Sequence, residues 1–202
     1  HHRDLHVRSR RQRQMCIRDS YCGVKPQPLS KRNTNETFTT SGGCLCSPVG
    51  NTGLETKSAV AGSCYQAVMR IPHGCDGDAT YTIRVRIPEG MISVKSKPNW
   101  NVEAVVGAYQ KTYDLDGRAV NAGVIELIWR GSLPNDQFDE FVFLGKISDS
   151  LPSGAPLDFH TTQHCNAATI DWNEVPDTDQ DRHDLKHPAP ILNIMPRGHA
   201  NH

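Results

Sequence analysis

From about residue 54 onward, polar and apolar residues alternate along the chain. "CYQAVMRI" (64–71) and "TYTIRVRI" (80–87) both show this pattern, and in the second Tyr81, Ile83, Val85 and Ile87 share one face while Thr and Arg occupy the other. Successive side chains of a strand point to opposite sides, so such runs predict half-buried β-strands. Shorter candidates follow at regular intervals: "MISVK" (91–95), "WNVEAVV" (100–106), "GVIELIW" (123–129), "EFVFLGKI" (140–147), "LDFHTT" (157–162), "ATIDW" (168–172) and "ILNIM" (191–195). No stretch keeps helical spacing for three turns. About nine short strands separated by turn signals predict an all-β fold, an immunoglobulin-like or cupredoxin-like antiparallel β-sandwich. "DTDQDRHDLKHPAP" (177–190) reads as a long polar loop leading into the last strand.

The first fifty residues follow no such pattern. "RDLHVRSRRQRQMCIRDS" (3–20) has neither period and almost no apolar residues, so it cannot bury a face as strand or helix and is expected to be disordered. "RRQRQMCIRDS" resembles translated sequencing-adapter read-through. Residues 1–50 therefore read as a non-native or frame-shifted segment, 51–196 as the domain, and 197–202 as a tail. The Cys44-Leu-Cys46 pair and the Asn35-Glu-Thr sequon look accidental, since a structural zinc site needs two further ligands at matching spacing.

Separating the halves changes the charge picture. The chain has 22 basic and 22 acidic side chains, but nine basic and three acidic ones fall in residues 1–50, leaving thirteen and nineteen in 51–202. A mildly acidic body argues against nucleic acid as a partner, because phosphate binding needs a concentrated Lys/Arg surface. No apolar run approaches the roughly 18 residues of a membrane helix.

Chemistry is concentrated in "RIPHGCDG" (70–77), where His73 and Cys75 stand in turn-forming sequence directly after a strand. From the residues alone this is half of a metal site, half of a disulfide, or a turn. The metal reading would group His73, Cys75, His164 and Cys165. The carboxylates of "DQFDEF" (Asp136, Asp139 and Glu140) could suggest acid/base catalysis or Ca²⁺, but such a cluster is more often a solvated turn entering a strand. Trp100, Trp129 and Trp172 suit a sandwich core.

"IPHGCDG" (71–77), "VRIPEGMISVKSKPNWNVE" (85–103), "IELIWRGSLPNDQFDEFVF" (125–143), "CNAATIDWNEVP" (165–176) and "HDLKHPAP" (183–190) resemble, in order and spacing, the YcnI-like copper-binding domain of bacterial exported proteins. The resemblance covers about residues 54–196. It implies an exported domain at the periplasm or cell surface, often held at the membrane by a C-terminal helix. It also implies a role in copper homeostasis beside a copper chaperone or copper-uptake membrane protein. Family members bind Cu(II) through the α-amine and imidazole of an N-terminal histidine, with a glutamate completing the ligands and a tryptophan close by. An α-amine of pKa near ~7.7 yields its proton readily to Cu(II).

Matched by position, the glutamate is Glu103, with Glu126 the weaker match, and the tryptophan is Trp129. The histidine position falls on Asn51, in "NTGLE" where the family begins near "HVTLE", so the chief ligand is missing. Cys75 and Cys165 occupy cysteine positions of the family and are expected to form a disulfide, which fits an oxidising compartment. His73 is then a turn histidine, and Cys64 a lone core residue. A blue-copper site would need a second histidine and a methionine past the cysteine, which "CNAATIDWNE" lacks. The expected function is a non-catalytic Cu(II)-binding module that stores, senses or hands over the ion. The alternatives are a metal-free structural or adhesive sandwich and a copper monooxygenase-like enzyme.

Overall fold

The structure, a computed structural model, describes residues 51–196; the segment 1–50 expected to be disordered and the tail expected at 197–202 lie outside the described residues. Twelve strands appear among the described residues: β1 (Gly53–Leu54), β2 (Ser58–Val60), β3 (Cys64–Ile71), β4 (Thr80–Arg86), β5 (Met91–Ser96), β6 (Asn101–Leu115), β7 (Arg118–Leu133), β8 (Asp139–Ile147), β9 (Pro156–Asp158), β10 (Thr161–Cys165), β11 (Thr169–Trp172) and β12 (Ile191–Met195). The only helical element among them is a single 3-10 turn, Arg182–Asp184. The expected all-β sandwich is present.

Four strands form one antiparallel sheet, β1-β3-β8-β5, and five form the other, β11-β10-β4-β7-β6. A third sheet, β2-β12-β9, contains one parallel pair, β2 with β12. Inward residues of the two large sheets make the core: Met69, Phe141 and Phe143 from one meet Ile83, Leu127 and Trp129 from the other. Trp129 packs edge-on to Phe141 at 5.3 Å, and Trp100 does the same at 5.0 Å from outside the core centre. Gly131 makes room for Trp100, because a Cβ there would run into the indole.

Three local expectations are corrected. Tyr81 does not join the core face of β4 but is 46% exposed, while Thr80 is buried. A register shift between Thr80 and Thr82 against β7 breaks the alternation there, and one extra residue moves side chains to the other face. Cys64 is an exposed free thiol, not a core residue, because Tyr65, Ala67, Met69 and Ile71 take the inward positions of β3 and force Cys64 outward. "LDFHTT" is not one strand: β9 and β10 belong to different sheets, and the chain changes sheets at Phe159-His160. There Phe159 N–H donates to Pro190 and Arg86 N–H donates to the His160 carbonyl.

The strands expected at 100–106 and 123–129 extend into one long hairpin. Leu115 pairs with Arg118 across Asp116-Gly117, and both turn residues have positive φ, 52° and 81°. That is the geometry a two-residue hairpin turn requires, and Asp-Gly supplies it.

Candidate functional site

The stretch at His73–Gly77 is a turn anchored by a disulfide. Cys75 exchanges backbone hydrogen bonds with Asp78, at 3.1 and 2.8 Å. Gly74 is required, since a Cβ there would meet the Asp78 carbonyl. Cys75 is bonded to Cys165 at the end of β10, with Cα atoms 6.0 Å apart, so the sulfurs are not available as thiolate ligands. The four-ligand metal reading is thereby overturned.

Gln163 secures the same corner: its Nε2 donates to the His73 carbonyl (2.7 Å) and to Thr80 Oγ1 (2.8 Å), and its Oε1 accepts from Trp172 Nε1 (3.1 Å). This buried amide uses both donors and its acceptor within the fold, as burial of a polar group demands. His164 sits between Gln163 and Cys165 but faces the other way, toward Thr169 Oγ1 at 3.1 Å.

The residues matched to a copper site lie apart. Glu103 is on the outer face of β6, where its carboxylate accepts from Arg130 Nη1 at 2.7 Å and both side chains are about half exposed. Glu126 is paired with Arg84 on the same face, at 2.8 Å. Trp129 is 0% exposed in the core, and its Nε1 has no hydrogen-bond partner. Leaving such a donor buried and unpaired costs about 1–3 kcal/mol. Asn51 precedes β1, the edge strand that packs beside β12, whereas β6 packs against β5 at the opposite edge of the four-stranded sheet. Two strands separate β1 from β5, a span of roughly 14 Å.

The structure does not bring these three residues together: one carboxylate is engaged by a guanidinium, one indole is sealed in the core, and an amide stands at the position matched to the imidazole. No group of three His, Cys, Asp or Glu side chains converges on a metal position among the described residues. The crowded acids of "DQFDEF" are likewise dispersed. Asp139 accepts from the Glu140 backbone N–H and Glu140 pairs with Arg70, while Asp136 is exposed.

Two of the surface concavities among the described residues lie beside these positions. On the outer face of the five-stranded sheet, Glu103, Ile128, Arg84, Thr162 and Asp171 form one cross-strand row. A groove beside it is lined by Arg84, Arg86, Glu126, His160 and Asp158, among others. Its charges are mixed and partly paired. The second is a smaller hollow beside Asn51, lined by Lys57, Arg182 and His183. Arg182 approaches Asp158 at 4.0 Å, and burial raises the Asp158 carboxyl above its ordinary range against the opposing pull of Arg182 and His160. Sequence reading placed Arg182 in an undifferentiated polar loop. The signal available was the Asp181 N-cap, which accepts from His183 N–H at 2.8 Å and starts the 3-10 turn.

An uncharacterized protein from Nocardia farcinica with an immunoglobulin-like fold is similar in structure, with TM-score 0.51 and 20% identity over 72% of this chain and 98% of that one. A cohesin module of a Clostridium perfringens family 33 glycoside hydrolase is more distant, with TM-score 0.42 and 12% identity over 74% and 98%. No curated protein matches. The likeness to the Nocardia farcinica protein shows the fold alone, an immunoglobulin-like sandwich. A family model, the domain of unknown function DUF1775, matches residues 52–194, nearly the whole sandwich, and the chain belongs to that family of YcnI-like domains.

Proposed function

We propose that this chain is a non-catalytic, exported module of the copper-handling kind whose own copper site is lost, so that it acts as a metal-free binding or structural sandwich. The observation that carries the reading is the combination at position 51. Asn51 is exposed at a sheet edge, where a chain beginning there would offer its amine and side chain to solvent, but it has no imidazole. The Cys75–Cys165 bridge supports an oxidising compartment outside the cytosol.

Cu(II) titration tests the proposal. The chain with Asn51 binds Cu(II) weakly. A domain starting at residue 51 with Asn51→His and a free α-amine gains one tight site, because amine and imidazole chelate together. Binding releases protons and weakens as pH falls below about 7. N-terminal acetylation abolishes it, whereas Glu103→Ala leaves it unchanged, that carboxylate being at the other edge and paired with Arg130. A tight one-to-one site in the Asn51 chain would overturn the reading of a lost site. Failure of the Asn51→His domain to take up Cu(II) would remove the copper connection altogether.

A further inference from the structure

The hollow beside Asn51 has a volume of about 170 Å³, and no Asp or Glu lines it. Lys57 comes from the β1–β2 connection and is fixed there by β12, since Asn193 N–H donates to its carbonyl at 2.9 Å. Arg182 and His183 come from the 3-10 turn more than a hundred residues later. The one carboxylate of that turn's cap, Asp181, faces its own backbone, accepting from His183 N–H at 2.8 Å.

Arg182 is held in place without being satisfied. Its Nη1 lies 4.0 Å from Asp158 Oδ1, beyond hydrogen-bond reach, and both atoms are buried with no hydrogen-bond partner. Asp158 lines the neighbouring groove, not the hollow, so it steadies the guanidinium from behind. Thr52, 3% exposed, lines the hollow too, and its Oγ1 also has no partner. A guanidinium carries five N–H donors in a planar fork that fits carboxylate and phosphate oxygens two at a time. A divalent cation placed here would face Lys57 and Arg182 with no carboxylate in the lining.

We propose that this hollow binds a small oxyanion of the carboxylate or phosphate type, with Arg182 as the forked donor, Lys57 as the second charge and the Asn51 amide completing the rim. Water's share of liquid volume is roughly 30 Å³, so the space holds such an ion with a few waters. The inference shares position 51 with the copper reading but rests on Arg182 and Lys57 and is tested without copper, so either can fail alone.

The experiment is NMR titration of the full chain in metal-free, phosphate-free buffer, with inorganic phosphate in one arm and acetate in the other. Saturable amide shifts at residues 51–57 and 182–183 with a millimolar or tighter Kd are expected. Response to phosphate alone or acetate alone identifies the ligand type. Arg182→Gln weakens binding at least tenfold, Lys57→Gln weakens it less, and Arg130→Gln, on the outer face of the five-stranded sheet, leaves it unchanged. If Arg182→Gln loses its dispersed spectrum, Arg182→Lys and Lys57→Gln carry the test, and parental affinity in both overturns the proposal. So does the absence of saturable shifts with either anion, or equal affinity in a folded Arg182→Gln variant.

Discussion

At the scale of single residues, burial decides what each side chain can do. Trp129 contributes a large apolar surface to the contact between the sheets, against Phe141 and Phe143. Trp129→Ala should therefore lower stability by about 3–5 kcal/mol, read by urea denaturation. Tyr65 is nearly sealed, its hydroxyl donating to the Thr56 carbonyl, and burial pushes its pKa up to about 12. The folded state thus keeps a proton that the unfolded state gives up near pH 10. The corresponding stability is intact below pH 10 and is lost as pH rises toward about 12. Tyr65→Phe should flatten the stability curve across that window while changing it little at pH 7 beyond the missing hydrogen bond, measured by denaturation at stepped pH.

At the scale of elements, the β6–β7 hairpin depends on two residues. Gly117 adopts φ of 81° with open space around its Cα, so Gly117→Ala adds no clash but does add the left-handed penalty of a side chain. A loss of about 1–2 kcal/mol is expected from urea denaturation. The turn was readable in principle, because Asp-Gly is the strongest short-range hairpin signal. It was missed because the flanking sequence "GAYQKT" carries Gly, Ala, Gln and Lys, which blur the alternation. The structure explains the blur: register slips between Val105 and Val106 and between Ala108 and Tyr113, and Val106 points into solvent. β1 and β2 were missed because two and three residues are too few to show a period.

At the scale of the whole molecule, the Cys75–Cys165 bridge closes a loop of 90 residues and joins the β3–β4 turn to the end of β10. Replacing both cysteines by serine should cost about 2–5 kcal/mol, seen as a lowered Tm and as equal sensitivity of reduced parent and variant to urea. Non-reducing peptide mapping should link the two cysteine peptides and leave Cys64 alkylatable, as its exposure requires.

What the sequence determined by itself was the set of local periodicities and their consequence. The inward faces of β3, β8 and the middle of β4 follow from alternation, because a strand's side chains alternate whatever it pairs with. The all-β class and the sandwich follow from the number and spacing of such runs. Everything that depends on which strands become neighbours was set by packing instead. The slip at Thr80 that exposes Tyr81, the capture of Glu103 by Arg130, and the burial of Trp129 out of reach of any surface ligand are set by cross-strand register. The meeting of Lys57 with Arg182 and His183 likewise joins segments more than a hundred residues apart. Local pattern fixes which way a side chain points along its own strand. Only the packing of distant strands fixes what it then meets.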